Sequence, residues 1–197
     1  PLISWSWGDD WDRVGRLDSI TSIEISNDGS VVAFGSTAHR SSMFDGVGMT
    51  YIYQYSSGTW SQLGSTIFGE EQADFTGKPH QLSLSGDGST IAIGSNQNSG
   101  GFNSPYYEDD SAGHVRVFKI INHEWSQVGN DIDGQKTTDS FGYTLDISQD
   151  GSILAIGGVG GNEVAKGFVR LYSNDSGSWT QLGSDIEGEN ANDAAAF

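Results

Sequence analysis

Three stretches of the chain align with one another without a gap: residues 21–36 (TSIEISNDGSVVAFGS), 80–95 (HQLSLSGDGSTIAIGS) and 143–158 (YTLDISQDGSILAIGG). A unit repeated along a chain restricts the fold to architectures in which each unit packs mainly against its neighbours. Every copy alternates apolar and polar residues, as in Ile23 and Ile25 or Leu145 and Ile147, and then reaches Asp28-Gly29, Asp87-Gly88 or Asp150-Gly151. Alternation followed by Asp-Gly predicts a β-hairpin with a two-residue turn, because glycine accepts the positive φ such a turn demands. Beyond the turn the residues run apolar, from Val31 to Phe34, Ile91 to Ile93 and Ile153 to Ile156. That pattern predicts a second strand covered on both faces, stacked between neighbouring units.

A second gap-free block follows each first one, from Gly48 to Trp60, Gly113 to Trp125 and Gly167 to Trp179. It opens on a strand (Tyr51-Ile52-Tyr53, Arg116-Val117-Phe118, Arg170-Leu171-Tyr172), passes a polar turn such as Ser56-Ser57-Gly58, and ends on Trp-Ser-Gln-Leu-Gly or a close variant. Two hairpins in series make a four-stranded antiparallel blade. The 28 glycines, 3 prolines and near absence of helical apolar spacing agree with short strands and tight turns. The predicted fold is therefore all-β: a β-propeller of four-stranded antiparallel blades, with about three and a half blades in this chain as part of a larger ring.

The ends fit the same template out of phase. Leu2 to Trp5 reads as a third strand and Trp11-Asp12-Arg13-Val14-Gly15 as a fourth, while Asp193 to Phe197 matches the lead-in Asp139-Ser140-Phe141. One domain, 1–197, is expected to hold a half-blade (1–18), three blades (19–66, 78–131 and 141–186) and the start of another (187–197). An unclosed propeller leaves two sheet faces raw, so further blades of the same chain or a partner chain are expected to close the ring.

These features resemble the FG-GAP repeats, the seven-bladed propellers of integrin α-subunit heads and of many secreted proteins. The matching residues are Phe141-Gly142 opening a blade, Asp-Gly between the first strands, Ala155-Ile156-Gly157 closing the second, and Gly167 to Tyr172 as the third. Blade one lacks the Phe-Gly, and blade two has Phe75-Thr76-Gly77. The resemblance implies calcium loops between the first two strands, but here those loops have shrunk to Ser-Asn-Asp-Gly, Ser-Gly-Asp-Gly and Ser-Gln-Asp-Gly. Calcium takes about six to eight oxygens, which one carboxylate in a short turn does not organise. The turn aspartates are expected to be structural, as are Trp11, Trp60, Trp125 and Trp179, whose strict register marks outer-strand packing.

Charge and composition exclude several functions. A net charge of −17 opposes binding to nucleic acid, which relies on clustered Lys and Arg. No run approaches the roughly 18 apolar residues of a membrane span, so membrane insertion is not expected. The absence of cysteine removes disulfides, thiolate nucleophiles and Cys-based zinc sites. His39, His80, His114 and His123 share no metal-ligand spacing, and neither a Gly-x-Ser-x-Gly elbow nor a phosphate-cradling loop is present.

Length variation is confined to the connections between second and third strands and between successive blades, which emerge on one face of the disc. They carry well over half of the 26 acidic residues and fewer than half of the 9 bases. Loops on a rigid scaffold are where binding residues concentrate. The longest, Gly100 to Asp110, sets Phe102, Tyr106 and Tyr107 beside Glu108, Asp109 and Asp110, a mixture suited to a sugar ring or a protein hot spot. Asp131 and Asp133, with their counterparts Asp185 and Glu187, are candidate calcium ligands through alternate carboxylates; no cofactor is otherwise required. Asn174-Asp175-Ser176 makes Asn174 a candidate glycosylation site.

The expectation from these residues is a non-enzymatic extracellular or cell-surface module, for adhesion or assembly, that offers its acidic, aromatic loop face to a protein or glycan. The alternatives are purely structural blades and a propeller-fold hydrolase acting on glycans.

Overall fold

The computed structural model describes residues 20–37, 47–70, 76, 78, 80–96, 112–136, 139–160 and 166–190. Among them there is no helix, and three antiparallel sheets follow one another along the chain. The first joins β1 (Ile20–Ile25), β2 (Val31–Ser36), β3 (Met49–Ser56) and β4 (Thr59–Gln62) in sequence order, with β5 (Ile67–Phe68) also on β3. The second repeats this with β6 (Leu82–Leu84), β7 (Thr90–Ser95), β8 (His114–Ile121) and β9 (Glu124–Gln127), and β10 (Ile132–Asp133) also on β8. The third runs β11 (Thr144–Ile147), β12 (Ile153–Gly158), β13 (Phe168–Asp175) and β14 (Ser178–Glu187). The all-β fold of four-stranded blades is thus as the repeats predict.

The hydrophobic core lies between the blades. Val31, Ala33 and Ile52 of the first sheet meet Leu82, Leu84, Ile91 and Ile93 of the second; Ala92, Val115 and Val117 of the second meet Leu145, Leu154 and Ile156 of the third. The middle blade shows why the second strand reads as apolar throughout. Every residue of β7 is buried, because a neighbour covers each face, whereas β2 and the first half of β12 alternate between buried and half-buried.

The turns correct the expectation drawn from Asp-Gly. In the inner hairpin only the glycine is left-handed (φ 72° at Gly29, 70° at Gly88, 71° at Gly151), and the Gly29 amide donates to Ser26 O across a four-residue turn. The Ser-x-Asp-Gly-Ser sequence explains this shape. The Asp28 carboxylate accepts from the Ser26 hydroxyl at 2.8 Å and from the Ser30 amide and hydroxyl at 2.9 Å each, while Ser26 Oγ accepts from the Val31 amide. Asp87 and Asp150 do the same, which holds Asp150 down to about 2. The two-residue turns with positive φ at both positions belong to the outer hairpin instead, at Ser57-Gly58, Asn122-His123 and Ser176-Gly177.

The recurrent tryptophans fasten one blade to the next. Trp125 Nε1 donates to Leu63 O of the preceding blade at 2.7 Å, and Trp179 Nε1 to Val128 O at 3.1 Å. The glycine that follows each carbonyl residue makes room for the ring: a Cβ on Gly64 would lie 2.6 Å from Trp125 Cδ1. The Trp-Ser-Gln-Leu-Gly motif therefore carries both a tryptophan and the seat for the next one.

Candidate metal centre on the loop face

The third strand of the second blade begins Gly113-His114-Val115-Arg116. Gly113 is required where it stands, with φ 75° and the Phe141 carbonyl 2.1 Å from where a Cβ would sit. His114 and Arg116 follow as alternate residues of a strand and so project to one side. Both are buried, His114 at 1% exposure. Two carboxylates close on the imidazole from different blades. Asp131 precedes β10 in the same blade, and its carboxylate accepts from the Gln127 side chain at 2.6 Å. Glu70 follows β5 of the preceding blade, 41% exposed at its side chain. One ligand atom each from Glu70, His114 and Asp131 lie within 4.8 Å of one another.

Electrostatics distinguish this cluster from an ordinary ion pair. Burial, and then the neighbouring Arg116 charge, push the His114 imidazole down to about 4, with Asp131 acting the other way, so the ring is neutral at pH 7. Its Nε2 has no hydrogen-bond partner among the described residues. Arg116 donates to Phe68 O at 2.7 Å and lies 3.5 Å from Glu70 Oε1. A neutral imidazole, two carboxylates and a tethered guanidinium thus come together at a junction of two blades.

The sequence candidates fall as follows. Phe102, Tyr106, Tyr107, Glu108, Asp109 and Asp110 lie outside the described residues. Asp131 joins a candidate metal group, but with Glu70 and His114. Asp133 sits in β10, opposite His114, and its carboxyl is raised by burial and by Asp131. Asp185 and Glu187 belong to the continuous strand β14, and Asp185 is bound by Arg170 at 2.9 Å. Of the Asp131-Ile132-Asp133-Gly134 run only Ile132 and Asp133 are in strand, whereas Asp185 and Glu187 both lie within β14. The Asn174 side chain accepts from the Gly177 amide and closes the outer turn of the third blade.

His114 and Glu70 escape a search for histidine spacing because the three ligands come from three separate segments. A signal was present nonetheless. Aligning the blocks on their glycines puts His114 where the other blades carry Met49 and Phe168, an imidazole at an apolar position. On the opposite face a cleft of about 490 Å³ opens between Val31, Leu63, Ile120 and His123; its one carboxylate, Asp87, is already engaged by Ser85 and Ser89.

No protein-family model matches the chain, and no curated protein matches it. Solved structures match its fold. A hypothetical selenium-binding protein from Sulfolobus tokodaii aligns over 88% of this chain and 42% of its own, with a TM-score of 0.60 and 15% identity. A candidate 6-phosphogluconolactonase from Bacteroides fragilis aligns over 86% of this chain and 39% of its own, at TM-score 0.54 and 16% identity. A chain from a study of two prolyl endopeptidases aligns over 87% of this chain and 22% of its own, at TM-score 0.51 and 16% identity. The chain thus spans about two fifths of the first two proteins and about a fifth of the third. These likenesses establish the propeller fold. They also correct the expectation of a non-enzymatic adhesion module: the same architecture carries proteins named for hydrolytic enzymes, so the repeat pattern gives no ground for setting a reaction aside.

Proposed function

We propose that the chain supplies blades of a propeller hydrolase that opens an uncharged sugar lactone at the loop face around His114. The observation that carries this reading is the buried, neutral His114 with an unpartnered Nε2, set between carboxylates of two blades. Ester hydrolysis needs a held water, a base for its proton and positive charge near the carbonyl oxygen as it becomes an oxyanion. His114 and the Glu70 and Asp131 carboxylates would hold the water between them, one carboxylate taking its proton where it is not engaged by an ion, and the guanidinium of Arg116 would supply the charge. The candidate lactonase name among the fold relatives supports the substrate class. The acidic surface, −17 overall, disfavours a phosphorylated lactone and favours a neutral one.

The test is release of acid from glucono-lactone by the purified full-length protein, with the spontaneous rate subtracted. Turnover above that rate should fall at least 100-fold in E70Q/D131N, while far-UV circular dichroism stays unchanged. A protein that hydrolyses no lactone, or a double variant as active as the parent, refutes the reading.

A further inference from the structure

We infer that Glu70, His114 and Asp131 form a site for a single divalent ion of the zinc type. The inference deepens the proposed function and rests on it only for the use made of the ion. Nearly all buried polar atoms in folded proteins are paired, so an orphaned ring nitrogen deep in a core calls for a partner, which the described residues do not provide. His114 Nε2 is such an atom. At 1% exposure the ring is fixed in place, with one ligand atom within 4.8 Å of a carboxylate oxygen from each of two blades.

The donor set selects the ion. One imidazole nitrogen and two carboxylate oxygens suit zinc and its neighbours, whereas calcium and magnesium call for oxygen shells. Bonds of about 2.0–2.2 Å in a tetrahedron put ligand atoms about 3.3–3.6 Å apart. The observed separations, within 4.8 Å, close to that when the half-exposed Glu70 and Asp131 carboxylates both turn toward the buried ring. Three protein ligands leave a fourth position for water, the arrangement of catalytic zinc. Gln127 fixes the Asp131 carboxylate by its 2.6 Å hydrogen bond, as outer partners of metal ligands do.

Arg116 is the opposing feature, since its charge repels a cation. It is tethered to Phe68 O and paired with Glu70, and the two carboxylates outnumber the single guanidinium.

Isothermal titration of the tag-free, chelator-stripped full-length protein with zinc chloride tests the inference. One zinc per chain should bind, at least 100-fold more weakly in H114A and at least tenfold more weakly in E70Q and D131N, with H123A unchanged. A tenfold excess of calcium or magnesium should not displace it. Should H114A fail to fold, E70Q and D131N decide. Absence of zinc binding, binding that survives both carboxylate changes, or calcium binding equally well overturns the inference. Zinc binding without lactone turnover would sink the hydrolase and leave the metal site standing; chelator-resistant turnover by a chain that binds no zinc would do the reverse.

Discussion

Blades two and three carry an arginine at the same register position, Arg116 and Arg170, and put it to different uses. In blade three, Arg170 Nε and Nη2 each contact Asp185 Oδ2 at 2.9 Å, Nη1 lies 3.6 Å from buried Asp139, and the guanidinium stacks on Phe168 at 4.4 Å and Phe141 at 5.3 Å. Burial works against the Arg170 charge, but Asp185 and Asp139 more than offset it and raise its pKa, while Arg170 draws the Asp185 carboxyl down. In blade two, Phe168 is replaced by His114 and the guanidinium turns to a backbone carbonyl, while Asp131 keeps the glutamine contact that Asp185 also makes, from Gln127 at 2.6 Å and Gln181 at 2.8 Å. One frame thus serves as a closed clasp in blade three and as a candidate ligand set in blade two. A single ring exchanged for another, with the arginine redirected, accounts for the difference.

The largest expected effect tests the clasp. R170A leaves Asp139 buried without its cation, which should cost about 3–5 kcal/mol in urea unfolding. R116A should cost only about 1–2 kcal/mol, because Glu70 is already 41% exposed and hydrates when the arginine goes. Equal losses would break the distinction between the blades.

An exchange of the two rings comes next. H114F rebuilds blade two after blade three and should keep the melting temperature while abolishing zinc binding and lactone turnover. F168H should lose about 2 kcal/mol, through the vacated stack on Arg170, and gain no zinc site, since Asp185 and Asp139 stay engaged. A zinc site in F168H would show that the ring alone sets the difference.

The smallest effect concerns two acids and pH. Asp185 is lowered in the folded state, so it stabilises the fold above its unfolded pKa and loses that contribution as pH falls through its lower folded value. Asp133 is raised, first by burial and then by Asp131, so its ionisation works against the fold at neutral pH. D185N should therefore lower the melting temperature at pH 7 and D133N raise it, with both differences closing as the pH approaches 2. Shifts of the same sign would contradict the assignment.

The blades were legible because each strand is specified locally, by alternation, by Ser-x-Asp-Gly-Ser and by the Trp-Ser-Gln-Leu-Gly word. The turn geometry was not, because Asp-Gly alone does not reveal that flanking serines fold the carboxylate back onto the hairpin. The short strands β5 and β10 leave no pattern in the sequence, since each follows a break after the Trp-Ser-Gln segment, at 63–66 and 128–131, that β14 bridges without interruption. Of the candidate metal group only Asp131 stands out in the sequence, through its alternation with Asp133. His114 meets Glu70 through the contact of two blades, a proximity that depends on stacking and leaves no spacing in the chain.

The tryptophan seat has one more consequence. Each blade presents an indole on one side and a glycine-floored carbonyl on the other, so the contact is head-to-tail and has no built-in count. The third seat, at Leu182-Gly183, has nothing within 4 Å of a Cβ on Gly183, and Leu182 is 43% exposed. An interface of this kind ends only when the rotation per step brings the last seat round to the first indole. The wedge angle of a blade, and not the tryptophan seat, would then set how many blades such a stack holds.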